Sequence, residues 1–140
     1  MTLKNQQFRI VQAVADRGYL DGWTPEQVFL RQVVLLLGEA AEMAAEVHAP
    51  GTPKWDEFVY HSGQAADAAR ALFVDKAEWQ HVNLAPADIA AIKAEFDDVM
   101  VVAAVLHWFY RHITGVNGAI LDGAAVKAVA DVARGTRYAD

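Results

Sequence analysis

The strongest constraint on the fold is the absence of a strand pattern in a chain built from helix-forming segments. No run of alternating β-branched residues is bounded by a hairpin turn, and alanine is abundant throughout. Clusters of Gly and Pro interrupt the apolar periodicity at several points. The sequence therefore predicts an all-α protein, a helical bundle of about five helices with short connections.

Local signals place the ends of these helices. Thr-Pro-Glu-Gln at 24–27 is a capping-box pattern with proline at the first helical position. Gly63 could interrupt the third helix, Asp122 is expected to cap the last one, and Gly135 is expected to close it. The predicted helices span residues 3–17, 25–47, 53–74, 86–113 and 123–134.

Length and composition predict one domain spanning residues 1–140. Hydrophobic residues make up 54% of the chain and charged residues 21%, which is enough apolar surface for a packed core. The chain has no cysteine, so disulfides and thiolate metal sites are excluded.

Charge and hydropathy bear on localisation and partners. The N-terminal segment 1–10 lacks the apolar region of a secretory signal, and the longest apolar run, 99–110, is shorter than the roughly 20 residues that span a bilayer. The net charge is −6, and the 12 Lys and Arg residues are scattered along the chain. We therefore expect a cytoplasmic protein without a membrane or nucleic-acid partner.

The segment VVLLLGEAAEMAAEV, residues 33–47, joins an apolar run to repeated carboxylates. At about 100° per residue, Glu39, Glu42 and Glu46 share one face of the predicted helix. No Lys or Arg lies between Arg31 and Lys54. Because burying an unpaired carboxylate costs several kcal/mol, either these glutamates face water or a positive group from elsewhere lies among them.

A second acidic pair, Glu95 and Asp98, has the same three-residue spacing where a later helix turns apolar. If the apolar stripes of the two helices pack together, the four carboxylates of Glu39, Glu42, Glu95 and Asp98 face one another. Carboxylate oxygens alone favour hard cations, Mg²⁺ first, with Mn²⁺ and Ca²⁺ also suitable. The alternative reading is that both pairs are ordinary solvated helix faces.

At these residues the chain resembles the all-α nucleoside triphosphate pyrophosphohydrolases of the MazG-like superfamily, which includes dimeric dUTPases and dCTP pyrophosphatases. LLLGEAAEMAAE and EFDDVMVVAAVL are similar to the two acidic helices of that family, and RGTRYAD resembles a basic, Tyr-containing tail in its dCTP branch. The matching segments cover about 40 residues, and the helical layout extends over most of the chain.

The resemblance implies Mg²⁺-dependent cleavage of a nucleoside triphosphate to the monophosphate and pyrophosphate. It implies that Glu39, Glu42, Glu95 and Asp98 hold the metal and that Glu39 or Glu42 acts on the attacking water. It also implies a homodimer or homotetramer. The substrate-binding residues expected by this analogy are Trp23, Arg134, Arg137 and Tyr138.

The chain departs from the family pattern in three places. Fifty-two residues separate Glu42 from Glu95, which is longer than the usual gap. The tail lacks the expected Asn, so Arg134 and Arg137 would have to bind the phosphates. Gly38 stands where many members have Glu. These departures leave the base and sugar of the substrate open.

Other interpretations stay open at this stage. Trp23 is either part of a base pocket or a hydrophobic staple at the start of its helix. One competing class of function is a helical nucleotide- or metal-binding module without turnover. The other is an oligomeric scaffold that binds no metal.

Overall fold

The computed structural model describes residues 2–47 and 52–135. The described residues form six helices and no strand, so the prediction of an all-α chain is confirmed. The helices are α1 (Leu3–Asp16), α2 (Pro25–Glu46), α3 (Pro53–Val74), α4 (Lys76–Trp79), α5 (Pro86–Thr114) and α6 (Asp122–Ala133).

The five long helices lie within a residue or so of their predicted bounds. The capping box at the start of α2 is confirmed, because Thr24 Oγ1 accepts from the Gln27 N–H at 3.2 Å and Gln27 Oε1 accepts from the Thr24 N–H at 2.9 Å. Gly135, with φ of 70°, follows the end of α6 as predicted. Helix α3 continues without interruption through Gly63.

Two details of the sequence prediction are wrong. The short helix α4 was not predicted, and it forms because the Asp75 carboxylate accepts the Ala77 N–H at 3.2 Å. Asp122 was predicted to cap α6, but it is the first helical residue and Leu121 is the N-cap. The Asp122 carboxylate instead accepts the backbone N–H of Ala119 at 2.8 Å.

The chain divides into two compact units. One comprises Met1–Gly22 and Ala85–Asp140, and the other comprises Trp23–Leu84. The single domain over 1–140 stays a prediction.

In the unit Trp23–Leu84, α2 and α3 pack against each other at small side chains. Gly38 of α2 is buried, as are Ala66 and Ala69 of α3. A Cβ atom placed on Gly38 would lie 3.8 Å from the Ala69 Cβ and 3.9 Å from the Ala66 carbonyl oxygen. The two helix backbones therefore approach closely at Gly38.

Two tryptophans form hydrogen bonds at the ends of this helical pair. The buried Trp79 donates its indole N–H to the Leu72 carbonyl at 2.7 Å, and its own carbonyl accepts from the Gln27 side chain at 2.6 Å. Trp55 near the start of α3 donates to the Val47 carbonyl at the end of α2 at 2.9 Å. These bonds are made to backbone carbonyls in the last turn or at the C-cap of a helix, where intrahelical N–H donors run out.

In the other unit, α1 packs against α6 through polar contacts. Gln6, which is buried, donates its side-chain amide to the Asp122 carboxylate. Arg17 at the end of α1 forms an ion pair with the buried Asp131 of α6, with 3.6 Å between Nη1 and Oδ2. The contact between these helices therefore depends on buried polar groups as well as on apolar ones such as Ala13.

Helix α5 is the longest helix, with 29 residues, and it ends at Gly115 in the left-handed conformation. Its residues with a described side chain are all exposed or half-buried, and many of them are large and apolar. None of the described helices has the length and apolar character that a membrane crossing requires.

Candidate functional site

The first predicted acidic pair lies on α2, at the edge of its contact with α3. Glu42 lies about 40° around the helix from the buried Gly38, whereas Glu39 and Glu46 lie about 100° and 80° away. Glu39 and Glu46 are exposed to solvent. Glu42, the glutamate nearest to the contact with α3, is therefore the one that meets a side chain of that helix.

That side chain is Arg70, which forms an ion pair with Glu42. Arg70 follows directly after Ala69, at the point where α3 approaches α2. Its other partner is Asp67 of its own helix, with 3.4 Å between Nη1 and Oδ1. The sequence left two possibilities for these glutamates, and both occur: Glu39 faces water and Glu42 meets a cation.

The second predicted acidic pair lies on α5. Glu95 and Asp98 are about 60° apart around the helix, and both are exposed. Among the described residues, no cation forms an ion pair with Glu39, Glu95 or Asp98. The carboxylate oxygens of these three residues are therefore accessible to solvent or to a bound ion.

The donor chemistry of both pairs suits a hard cation, since each pair offers exposed carboxylate oxygens. Glu39 and Glu42 belong to the unit Trp23–Leu84, and Glu95 and Asp98 belong to the other unit. Within the described part of either unit, no three Asp, Glu or His side chains lie together as a metal ion would require. The convergence of all four carboxylates stays a prediction.

Trp23 lies just before the N-cap of α2, the position of a hydrophobic staple. The guanidinium carbon of Arg31 lies 3.9 Å from the centre of the Trp23 ring and 4.5 Å from that of Phe73. Arg31 is 1% exposed, and the attraction between a cation and an aromatic face is stronger where water is excluded. One face of the predicted base-binding ring is therefore covered by an arginine of the same unit.

Arg134 was predicted to bind phosphate, and it lies at the C-cap of α6. Its guanidinium forms an ion pair with Asp131, whose carboxylate also accepts from Lys127 at 2.9 Å. Arg134 is therefore engaged by a carboxylate one turn earlier. The other two predicted substrate-binding residues, Arg137 and Tyr138, lie outside the described residues.

Sequence reasoning missed three residues that shape these surroundings. No local signal pointed from Arg70 to Glu42, because Glu42 lies 28 positions earlier on another helix. Arg31 was recognisable only as a lone cation before an apolar run. Asp131 did carry a signal, because Lys127 and Arg134 stand four residues before and three residues after it.

Comparison with protein-family models, with curated proteins and with solved structures gave no match to this chain.

Proposed function

We propose that this protein is a Mg²⁺-dependent nucleoside triphosphate pyrophosphohydrolase that releases the nucleoside monophosphate and pyrophosphate. It would act in the cytoplasm as a homodimer or homotetramer. The observation that supports the proposal is the exposure of two carboxylate pairs with helical i,i+3 spacing, Glu39 with Glu42 and Glu95 with Asp98. Solvent-accessible carboxylates are what a site for Mg²⁺ and a phosphorylated substrate needs.

The proposal requires the two pairs to meet at one ion, within a chain or between copies. When bound, Mg²⁺ would supply Lewis-acid polarisation of the phosphates, and Mn²⁺ could replace it. Glu39 or Glu42 would orient or deprotonate the attacking water. For Glu42 to act in this way, its carboxylate must leave Arg70.

On the substrate side, Trp23 would contact the base, Arg134 and Arg137 would contact the phosphates, and Tyr138 would also bind the substrate. Trp23 has one ring face on Arg31, so a base would have to stack on its opposite face or its edge. Arg134 would have to exchange Asp131 for a phosphate. Arginine is well suited to that exchange, because its planar guanidinium binds carboxylate and phosphate in the same way.

The second candidate function is a helical binding module or scaffold without turnover. It is favoured by the partners that three predicted site residues already have, because Glu42 meets Arg70, Arg134 meets Asp131, and the Trp23 ring is covered by a cation. These contacts explain the same side chains as parts of the fold. The enzyme would release pyrophosphate from a nucleoside triphosphate, whereas the binding module or scaffold would not.

The test is a pyrophosphate-release screen over all nucleoside and deoxynucleoside triphosphates with Mg²⁺ or Mn²⁺. The site variants are Glu42→Gln and Asp98→Asn. The matched controls are Glu46→Gln, an exposed glutamate one turn after Glu42, and Asp97→Asn, the exposed neighbour of Asp98 that points about 100° away from it. Each control makes the same chemical change on the same helix.

The proposal expects release by wild type and both controls, and a loss of at least a hundredfold in both site variants, as for removal of metal ligands or of a general base. Equal release by all five proteins would refute the site assignment. No release with any nucleotide would refute the enzyme proposal. In that case a Mg²⁺-dependent rise in melting temperature would support the binding module, and none would support the scaffold.

A further inference from the structure

The connection between α5 and α6 contains the dipeptide Asn117–Gly118. The chain has two other asparagines, Asn5 within α1 and Asn83 in the segment before α5. Asparagine is chemically labile, because its carboxamide carbon can be attacked by the backbone nitrogen of the next residue. Glycine in the next position assists that attack, since it has no side chain to hinder the approach and samples more backbone conformations.

The structure leaves this dipeptide open to the attack. Residues 112–120 are all exposed, and 115–117 lie outside the helices. The N–H of the following residue, Ala119, donates to the Asp122 carboxylate at 2.8 Å. Among the described residues, by contrast, none accepts a hydrogen bond from the Gly118 N–H. The attacking nitrogen therefore has no such bond to break.

The fold favours glycine at position 118. The φ angle of Gly118 is 150°, which residues with a side chain rarely adopt. A Cβ atom there would lie 2.8 Å from Oδ2 of Asp122, the carboxylate that is held by the Ala119 N–H. For steric reasons, the loop thus prefers the residue that most readily attacks a preceding asparagine.

Arg111, in the last turn of α5, contacts the carboxamide of Asn117. Its Nη2 lies 3.5 Å from Oδ1 of Asn117, the oxygen that gains negative charge when the carboxamide carbon is attacked. Arg111 is half-buried, and among the described residues its Nε has no hydrogen-bond acceptor. A positively charged donor at this oxygen stabilises the transition state, as the donors of an oxyanion hole do.

We propose that Asn117 is a site of spontaneous deamidation, assisted by Arg111. The Gly118 nitrogen attacks Cγ of Asn117, and the new C–N bond closes a succinimide ring. The side-chain nitrogen leaves as ammonia, taking up the proton of the Gly118 N–H. Water then opens the ring at either carbonyl and leaves aspartate or isoaspartate at position 117. Water is the one co-reactant, and the inference does not depend on the proposed enzyme activity.

The reaction changes the junction between α5 and α6. It adds one negative charge to a chain whose net charge is −6. The contact between the carboxamide and Arg111 becomes an ion pair, in which a carboxylate can accept from Nη2 and Nε on one edge of the guanidinium. Isoaspartate also inserts a methylene group into the backbone. The charge and length of this connection would therefore change as the protein ages.

The test is incubation of the full chain at physiological pH and temperature, followed by trypsin digestion and mass spectrometry at several times. Cleavage after Lys and Arg gives peptides 5–9, 77–93 and 112–127, each with one asparagine. Conversion of the amide to an acid raises the peptide mass, and fragment ions locate the converted residue. Asn83 is the internal control, because it is also exposed and outside the helices but precedes the bulky Leu84.

We expect Asn117 to be converted at least about tenfold faster than Asn83, because of the glycine that follows it. Asn5 should stay intact, since the helical backbone of α1 holds the next nitrogen away from its carboxamide. Isoelectric focusing should show a more acidic form that accumulates in wild type and is absent from Asn117→Gln, because glutamine would have to close a larger ring. Conversion of Asn117 no faster than that of Asn83 would overturn the proposed site. This comparison uses wild type alone.

The part played by Arg111 is tested by replacing it. Arg111→Gln should slow the conversion of Asn117 by about threefold or more, a smaller effect than the loss of an enzyme's oxyanion donor because this contact is long. Arg111→Lys keeps the charge and should retain part of the wild-type rate. Far-UV circular dichroism establishes that both variants keep the wild-type helix content. Conversion in Arg111→Gln as fast as in wild type would overturn the assistance by Arg111.

Discussion

Gly38 offers the sharpest test of the contact between α2 and α3, which positions Glu39 and Glu42. A Cβ atom at Gly38 would meet the Ala69 Cβ at 3.8 Å, an ordinary van der Waals distance. Replacing glycine by alanine inside a helix stabilises by about 1 kcal/mol, because glycine loses more backbone entropy on folding. We therefore expect Gly38→Ala to raise the free energy of unfolding by about 0.5–1 kcal/mol.

Leucine at the same position should reverse this effect. Its helix propensity is nearly that of alanine, but it adds three carbons where Ala66 and Ala69 already lie against the backbone of α2. Extra methylenes in a packed contact typically cost 1–3 kcal/mol, because neighbouring side chains and backbone must shift. Gly38→Leu should thus be less stable than Gly38→Ala by about 1–3 kcal/mol.

Gly63 is the matched control, because it is also a glycine within a long helix and a Cβ there would meet nothing within 4 Å. Gly63→Ala and Gly63→Leu should both stabilise, by nearly equal amounts. Urea unfolding followed by circular dichroism, at one fixed protein concentration, gives all four values. Suppose that the difference in the free energy of unfolding between Gly38→Leu and Gly38→Ala equalled the difference between Gly63→Leu and Gly63→Ala. Helices α2 and α3 would then not pack at Gly38 as described.

Two further predictions concern the ion pairs. Asp131→Ala should lower the free energy of unfolding by about 2–4 kcal/mol in urea titrations, because the Asp131 side chain is only 8% exposed and meets the mostly buried Arg17. The control Asp67→Ala removes an exposed carboxylate and should change the free energy of unfolding by less than about 0.5 kcal/mol. Equal losses of stability in the two variants would contradict a buried role for Asp131. Arg70→Gln should tighten Mg²⁺ binding in isothermal titration calorimetry by up to about fivefold if Glu42 is a ligand, since an exposed ion pair is worth at most about 1 kcal/mol. Unchanged or weaker binding would count against a metal role for Glu42.

Helix positions could be predicted because their signals are local. The capping box at Thr24 and Gln27 and the glycine after α6 act within one turn of the chain, so the sequence contains both partners side by side. Helix α4 was missed although its signal is local too, because one Asp75 cap supports only four helical residues. A segment that short has no apolar periodicity to detect.

The two acidic pairs could be located and assigned to helix faces, since the spacing of three residues fixes their relative direction. The partners of these carboxylates could not be predicted from the sequence. Glu42 meets a cation and Glu39 does not. This difference depends on which turn of α3 lies against which turn of α2. Small residues at Gly38, Ala66 and Ala69 set that register, and side-chain spacing along one helix does not reveal it.

The sequence by itself determined that this chain is helical, where its long helices begin and end, and which carboxylates share a helix face. Each of these follows from interactions within a few residues. Only the tertiary structure decided that Arg70 reaches Glu42 and that Arg31 lies buried over Trp23 and Phe73. Such pairs join residues far apart in the chain, and their geometry exists only once the helices have packed in a particular register.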